Sequence, residues 1–486
     1  MEYQKYLYSA PYKSIEEFEN DALLLAHDFR NSDFSISNKP NAIKTYKHKQ
    51  LENLNRIKKF IDFDKIAPII HITGSIGKGS ILKYIENILR TAQYNTQIYT
   101  SPYNKTIYDS IKFNQQDICE KLFNEYFQYV WNICQQNKIY LPYLSLKSII
   151  PYIAFSHNTN ADVSLVEVSL GGQYDATNII PFNELAILSR IDLEHTNFFG
   201  NNIYNIAEEK IAITKPGSKV IINQQTTQKL IEYIEKLAIG HKGKIINHPI
   251  LSGDKNTLNT QQNSAIPIII NKIQDIYTAD HKKENINTTI ISALALQEKF
   301  NKITTDNIIN GLLNTKLQGR MEFLSTNKKN KLYNFYVNDI NSVHSTNSTN
   351  STNFNNKIDI SLDSAHNKAG IKNLNNYIKN QNKYKNIGII FALSDKQTYL
   401  PKLNLLLSEL KKHQKIKLTL SKIKGHYGLY SSIINEIDAI QNKFNNHDIN
   451  IIFNIDRAIT HQLQNKIDLL IITGSTYLLR NIYQIL

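Results

Sequence analysis

Short apolar runs and amphipathic stretches take turns along most of this chain. Pro68-Ile69-Ile70 is an apolar run ending in a β-branched residue, and it predicts a strand leading into a turn. Ile81 to Leu89 then repeats apolar side chains at helical spacing. Thr96–Thr100 predicts a short strand, followed by helices over 116–136 and 145–157. Val163–Val168 is nearly all apolar, as a strand buried on both faces must be, and Leu185–Ser189 repeats the pattern. A helix over 203–213, the Pro216-Gly217 turn and a strand over Lys219–Asn223 continue the alternation. Before residue 65, Ile43, Tyr46, Leu51, Leu54, Ile57 and Phe60 are spaced to turn one helical face toward a core. Residues 252–265 and 271–285 are polar and read as surface loops, with helices over 285–299 and 304–314 after them.

A boundary is expected at Lys316–Arg320. Beyond it the rhythm resumes, with strands over 358–363, 386–392, 416–421, 449–454 and 468–473. The expected organisation is a domain over 1–315 with a helical lead-in and a smaller one over 316–486. The tripeptide repeat Ser345–Asn353 buries nothing, so a disordered insertion is expected over about 341–356. Strands alternating with helices predict α/β domains with mostly parallel sheets.

Composition narrows this picture only modestly. A charged fraction of 20% and a hydrophobic fraction of 41% fit a globular chain. The net charge of +14 would suit nucleic acid. No arginine-rich arm, zinc spacing or aromatic RNA platform accompanies it, so small anionic substrates explain the sign as well. Cys119 and Cys134 are too far apart to bridge and predict a reducing compartment. The start, Met1-Glu2-Tyr3-Gln4-Lys5, is too polar for a targeting peptide, and no apolar run approaches a membrane span. The expectation is a cytoplasmic protein without membrane or nucleic-acid partners.

The candidate chemistry begins at Gly74-Ser75-Ile76-Gly77-Lys78-Gly79-Ser80. Strand, glycine-rich turn and helix in that order make a phosphate cradle. Gly74, Gly77 and Gly79 let the backbone approach an anion, and main-chain amides at the helix start face it. Lys78 adds a point charge and Ser80 a hydroxyl for Mg²⁺. Glu167, near the carboxyl end of an apolar strand, is costly to bury alone, and a metal beside the phosphates would compensate it. On its surroundings in sequence, Lys210 reads as a solvated helix lysine.

The shortened loop resembles that of the Mur ligase superfamily, with Ile76 where asparagine is usual. Val166-Glu167-Val168-Ser169-Leu170-Gly171-Gly172-Gln173-Tyr174-Asp175-Ala176-Thr177-Asn178 is similar to a segment of the folylpolyglutamate and dihydrofolate synthases. Further segments follow in the family's order. They are Thr100-Ser101-Pro102-Tyr103, Asp192-Leu193-Glu194-His195-Thr196, Glu209-Lys210, Leu317-Gln318-Gly319-Arg320, Asp363-Ser364-Ala365-His366-Asn367 and Thr473-Gly474-Ser475-Thr476-Tyr477. Tyr103, Glu194 and Gln318 stand where the family carries histidine, aspartate and proline.

The resemblance implies a P-loop-type Mur ligase ATPase domain with a mostly parallel sheet and a smaller Rossmann-like C-terminal domain. It implies ATP-dependent transfer of L-glutamate onto dihydropteroate, a reduced folate, or both. A substrate carboxylate would take the γ-phosphate, and the glutamate amine would displace phosphate from the acyl phosphate. Lys78, His195, Lys210 and Arg320 are then the catalytic candidates. Gly74, Ser75, Gly77, Lys78, Gly79, Ser80, Arg320, Asp363, His366 and Asn367 would hold ATP. Ser80, Glu167, His195 and a carbamylated Lys210 would hold Mg²⁺ at one or two sites, with a monovalent cation such as K⁺ compatible. Ser101, Pro102, Tyr103, Asp175 and Asn178 would face the pterin. Closure of the domains about Arg320 would exclude water, and a monomer is the family's habit. Ser475 reads equally well as an ordinary turn serine. The competing classes are a cell-wall Mur ligase, which lacks the Leu-Gly-Gly segment, and a catalytically silent nucleotide-binding relative.

Overall fold

A computed structural model describes residues 12–19, 21, 40–252, 257–277, 280–343, 358–379, 383–394, 398–410, 415–424 and 433–486. Two compact units divide the chain. The first comprises Met1–Tyr103 with Ile107–Thr315, and the second Asn104–Thr106 with Lys316–Leu486.

The first unit is built on an eight-stranded sheet in the order β4-β3-β2-β5-β1-β6-β7-β8. The strands are β1 Ile69–Thr73, β2 Thr96–Tyr99, β3 Ile111–Phe113, β4 Gln116–Asp117, β5 Val163–Glu167, β6 Leu185–Leu188, β7 Lys219–Ile222 and β8 Lys244–Ile245. From β2 through β8 every pairing is parallel, while β3 and β4 add an antiparallel edge. The central strands β1, β5 and β6 are buried along their whole length, so both sheet faces are covered. One covering core gathers Phe18, Leu54, Phe127, Trp131 and Tyr152, and the other Val168, Ile206, Ile211 and Ile234.

The order of the central strands places the site. From β1 the chain crosses to β2 on one side, and β6 lies on the other. Strand β1 therefore ends at a switch point flanked by β5 and β6, where open α/β sheets bind ligands.

The polar stretches after residue 252 correct the expected loops. Thr260–Lys272 and Asp280–Leu296 are helices. The first begins with a reciprocal Asn259–Gln262 capping box and buries Ile266 and Ile269. The second buries Thr288, Thr289 and Ser292 beside its isoleucines. Their hydroxyls donate to the carbonyls of Glu284, Asn285 and Thr288 at 2.9, 2.8 and 2.7 Å, one turn back. This satisfied hydroxyl ladder lets a polar-looking sequence form an interior helix. Elsewhere the helix expected over 116–136 starts at Glu120, because Gln116–Asp117 turns back on β3 as β4. In the lead-in helix Pro40–Ile57, Leu54 and Ile57 are buried, but Phe60 falls beyond its end and is exposed.

The second unit carries a six-stranded sheet in the order β13-β12-β11-β14-β10-β9. Its strands are β9 Glu322–Phe323, β10 Asp359–Leu362, β11 Asn386–Phe391, β12 Lys415–Leu420, β13 Asp448–Ile451 and β14 Leu469–Thr473. All pairings are parallel except β9 with β10. Separate apolar clusters form on either side of this sheet, one around Tyr336, Ile459 and Tyr483, the other around Ile371, Tyr399 and Leu403. The helix Thr326–Val343 occupies the first residues of the expected insertion, and the tripeptide repeat lies outside the described residues. Among the described residues, no helix is long and apolar enough to cross a membrane.

Candidate active site

At the end of β1 the chain turns through Gly74 and Gly77, whose φ angles are +139° and +93°. A side chain at Gly77 would be strained there, and its Cβ would fall 2.2 Å from Asn285 Oδ1. The helix Lys78–Thr91 starts at once, with Ile81 donating its first backbone bond to Gly77 O at 2.9 Å. The amides of Lys78, Gly79 and Ser80 therefore precede the first intrahelical bond, where helices attract anions.

The loop is laced to the segment after β6. Ser75 N and Ile76 N both donate to Arg190 O, at 2.9 and 3.2 Å. The Ser75 hydroxyl donates to Asp192 O at 3.1 Å and accepts from Asp192 N at 3.0 Å. Ser75 thus holds the loop's shape through both of these groups. The isoleucine at 76 is accommodated in the same way, because its main chain makes the contact.

Glu167 closes β5 and is buried. A Cβ on Gly79 would lie 3.5 Å from its Oε2, so the carboxylate rests against the start of the phosphate-loop helix. A phosphate bound at the same helix start would repel it unless a cation lay between them. Among the described residues no group of three or more His, Cys, Asp or Glu side chains gathers to hold a metal. One carboxylate, a hydroxyl and phosphate oxygens form the donor set that Mg²⁺ accepts, so Glu167 and Ser80 fit that ion.

Lys78 Nζ donates to Gly74 O at 2.8 Å, and Lys210 Nζ donates to the same oxygen at 3.1 Å. Lys210 is no solvated lysine: it is 2% exposed and pairs with Glu194 Oε1 at 2.8 Å. Its helix, Ile203–Ile211, turns this residue inward toward the sheet end, a direction that acidic neighbours in sequence do not reveal. Burial lowers the Lys210 amine from its ordinary value, against the pull of Glu194. Burial by itself would raise the Glu194 carboxyl, but Lys210 and Lys78 outweigh it and bring it to about 2. As an amine Lys210 is a hydrogen-bond donor, and metal ligation by it requires conversion to an anion. His195, seven residues past β6, has a left-handed φ of +47° and precedes the short helix Thr196–Phe199. The surrounding protein lowers its imidazole pKa, Glu194 opposes this, and Lys210 and Lys78 add to it.

Ser101, Tyr103 and Asp175, three of the expected substrate residues, lie near a lysine that sequence reasoning missed. Lys147, 3% exposed in the helix Tyr143–His157, donates to Ser101 Oγ at 3.4 Å and sits 5.5 Å from the Tyr103 ring centre. Pro102 follows Ser101 through a cis peptide bond. Tyr103 donates its hydroxyl to buried Glu19 at 3.2 Å. Asp175 is raised by burial, against the hydrogen bonds of Thr177 and Leu170 and the charge of Lys147. Its carboxylate accepts from Leu170 N at 2.8 Å, Thr177 N at 2.9 Å and Thr177 Oγ1 at 2.6 Å, which shapes the glycine loop from within. Asn178 Nδ2 donates to Ala212 O at 3.2 Å, tying the same loop to the end of the Lys210 helix. A lysine in the middle of an otherwise apolar helix was the available signal for Lys147.

In the second unit, Arg320 donates to Gly319 O at 3.0 Å and to the Ser364 hydroxyl. Asp363, at the end of β10, accepts from Met321 N and Ala365 N at 2.9 Å each. His366 Nδ1 lies 2.8 Å from Ser364 O and donates to it. Asn367 accepts from Gly370 N at 2.8 Å at the start of the helix Lys368–Lys379. Ser475 accepts from Tyr477 N as the N-cap of the helix Thr476–Ile485, the ordinary role weighed for it. Arg320, Asp363, His366 and Asn367 thus share one end of this unit's sheet.

Residues 345–485 match the family described as dihydrofolate synthetase, C-terminal domain. A folylpolyglutamate synthase of Candida albicans is 35% identical over 195 residues, 35% of this chain and 37% of that protein. A probable dihydrofolate synthetase of Schizosaccharomyces pombe is 25% identical over 435 residues, 86% of this chain and 93% of that protein. The chain thus spans about a third of the first relative's length and nearly all of the second's. A solved bifunctional folylpolyglutamate synthase/dihydrofolate synthase, with Mn, AMPPNP and L-glutamate bound, shares the fold. Its TM-score is 0.65 at 16% identity, over 89% of this chain and 93% of that one. The chain is therefore similar to the folylpolyglutamate and dihydrofolate synthases, in its C-terminal domain by the family match and over most of its length by the fission-yeast relative.

Proposed function

We propose that the protein is an ATP-dependent ligase that joins L-glutamate to dihydropteroate, to a reduced folate, or to both. The observation that carries this reading is the meeting of Lys78, Glu167 and the Lys210–Glu194 pair around one glycine-rich turn at the end of β1. The Candida and fission-yeast relatives carry the two activity names, and the solved neighbour binds an ATP analogue and glutamate.

In this reading the amides of Lys78, Gly79 and Ser80 hold the ATP phosphates. Lys78 leaves the Gly74 carbonyl for a phosphate oxygen, exchanging a neutral acceptor for an anionic one. Mg²⁺, held by Ser80 and Glu167, would neutralise charge on the transferring phosphoryl group. The acceptor carboxylate takes the γ-phosphate, and the glutamate amine then displaces phosphate to form the amide. Lys210 and His195 are proposed for a second cation position, Lys210 in its carbamylated form. Arg320, Asp363, His366 and Asn367 are proposed as nucleotide-contacting residues of the second unit. Ser101, Pro102, Tyr103, Asp175 and Asn178 are proposed for the pterin side. Both cysteines are free thiols, in keeping with a cytoplasmic setting.

Phosphate release from ATP and glutamate, run with dihydropteroate, with tetrahydrofolate and with neither, tests the reading. Release with one or both acceptors, and none without, is expected. Release independent of both acceptors counts against it.

A further inference from the structure

The loop Gly171–Asp175 lies on Glu209, the residue before Lys210. Gln173 N donates to the Glu209 carbonyl at 2.7 Å, and Tyr174 N donates to its Oε1 at 3.2 Å. The loop's two glycines permit this approach. A Cβ on Gly172 would fall 2.4 Å from Glu209 O, and one on Gly171 2.9 Å from Glu209 Oε1. The carboxylate is 7% exposed, and its Oε2 faces Lys47 Nζ at 3.7 Å. Lys47 comes from the lead-in helix Pro40–Ile57. Its ammonium sits 4.9 Å from the Tyr174 ring centre and 5.3 Å from that of Phe199. From the same helix Gln50 Nε2 donates to Tyr174 O at 3.0 Å. Phe199 in turn meets the His195 ring edge-on at 6.4 Å.

We propose that Glu209 is a positioning residue that fixes the substrate loop Gly171–Asp175 against the Lys210 helix, with Lys47 as the cation that holds its carboxylate in place. The proposal rests on the ligase reading for its kinetic consequence. The arrangement has a physical logic. Glu209 takes two successive loop amides, one on its backbone carbonyl and one on its side chain, so the loop cannot shift without losing both. Lys47 compensates a carboxylate that is otherwise costly to bury, and it spans the rings that flank it. Glu209 and Lys210 are adjacent in sequence, so the loop and the buried ammonium are registered by a single turn of helix.

Three full-length variants test this. In Glu209→Ala, the KM for the acceptor that the wild type uses rises at least about tenfold, while the KM for ATP stays within about twofold. Glu209→Gln keeps an oxygen for Tyr174 N and restores most of the acceptor KM. Lys47→Met raises the acceptor KM less than Glu209→Ala does. Amide hydrogen exchange on the unliganded protein supplies a readout free of turnover: the Tyr174 amide exchanges at least about fivefold faster in Glu209→Ala and near wild-type speed in Glu209→Gln. Equal rises in both KM values, a Gln variant as impaired as Ala, or unchanged Tyr174 exchange in Glu209→Ala overturns the proposal. Should Glu209→Ala fail to fold, Lys47→Met decides, and an unchanged acceptor KM there overturns it. A wild type that turns over neither acceptor sinks the ligase reading alone, and Tyr174 exchange then settles the role of Glu209.

Discussion

Lys78 and Lys210 show how differently two lysines of one site are held. Both donate to the Gly74 carbonyl, but Lys210 is also paired with Glu194, while Lys78 sits at the mouth of the helix start. Lys78→Ala is therefore expected to remove ATP-dependent ligation and leave the fold intact. Loss of phosphate release with an unchanged thermal unfolding curve is the result to look for; turnover at the wild-type rate would defeat the assignment. Behind the loop, His71 is fully buried in β1, with Nε2 3.0 Å from Thr177 Oγ1. Burial, and secondarily Lys215, lowers its pKa from 6.5 to about 3. The folded value lies below the unfolded one, so the unfolded chain binds a proton first as the pH falls. Stability is full above pH 6.5 and declines from there toward pH 3. Between about pH 6.5 and pH 5 this one residue costs about 2 kcal/mol. Urea unfolding of the wild type and of His71→Leu at pH 7 and pH 5 measures it, with the variant losing less stability on acidification.

Helices in both units are started by side chains that propensity alone would not single out. Glu436, on the helix Ile433–Lys443, accepts from Tyr399 N at 3.0 Å and from Leu400 N at 2.8 Å, where the helix Leu400–Leu410 begins. A carboxylate there satisfies orphan amides and opposes the helix dipole. Glu436→Ala is expected to lower stability by about 1–2 kcal/mol without changing the KM for ATP. Denaturant midpoints together with ATP kinetics check both halves. The misread polar stretches teach the same lesson at this scale. The hydroxyls of Thr288, Thr289 and Ser292 are polar in sequence, yet they behave as core once each is bonded to the turn below. The edge strands β3, β4 and β8 escaped notice because two or three residues are too few to display an alternation.

Over the whole molecule, each unit keeps its own sheet and its own apolar clusters. A ligand held by the folded protein alone stabilises it by mass action. Mg²⁺-ATP at a hundredfold excess over its Kd should add about 2.7 kcal/mol to the stability of the unit that binds it. Lys78→Ala should abolish most of that gain in a thermal shift titration. An equal shift in the variant would place nucleotide binding somewhere other than the β1 turn. Phosphate release with each acceptor separates the single-activity readings from the bifunctional one on the same protein.

The alternation of apolar runs with amphipathic ones was enough to establish α/β architecture and the places of the central strands, because burial on both faces leaves a continuous signature. The glycine spacing before Lys78 was likewise legible, since the turn demands φ values that few other residues adopt. Which charged side chains point inward was decided only in three dimensions. Lys210, Glu194 and Glu209 look like surface residues in the sequence. Lys210 and Glu209 are buried and Glu194 is half-buried, because an oppositely charged partner distant along the chain lies against each. Charge compensation depends on distances across the fold, and no local pattern carries them.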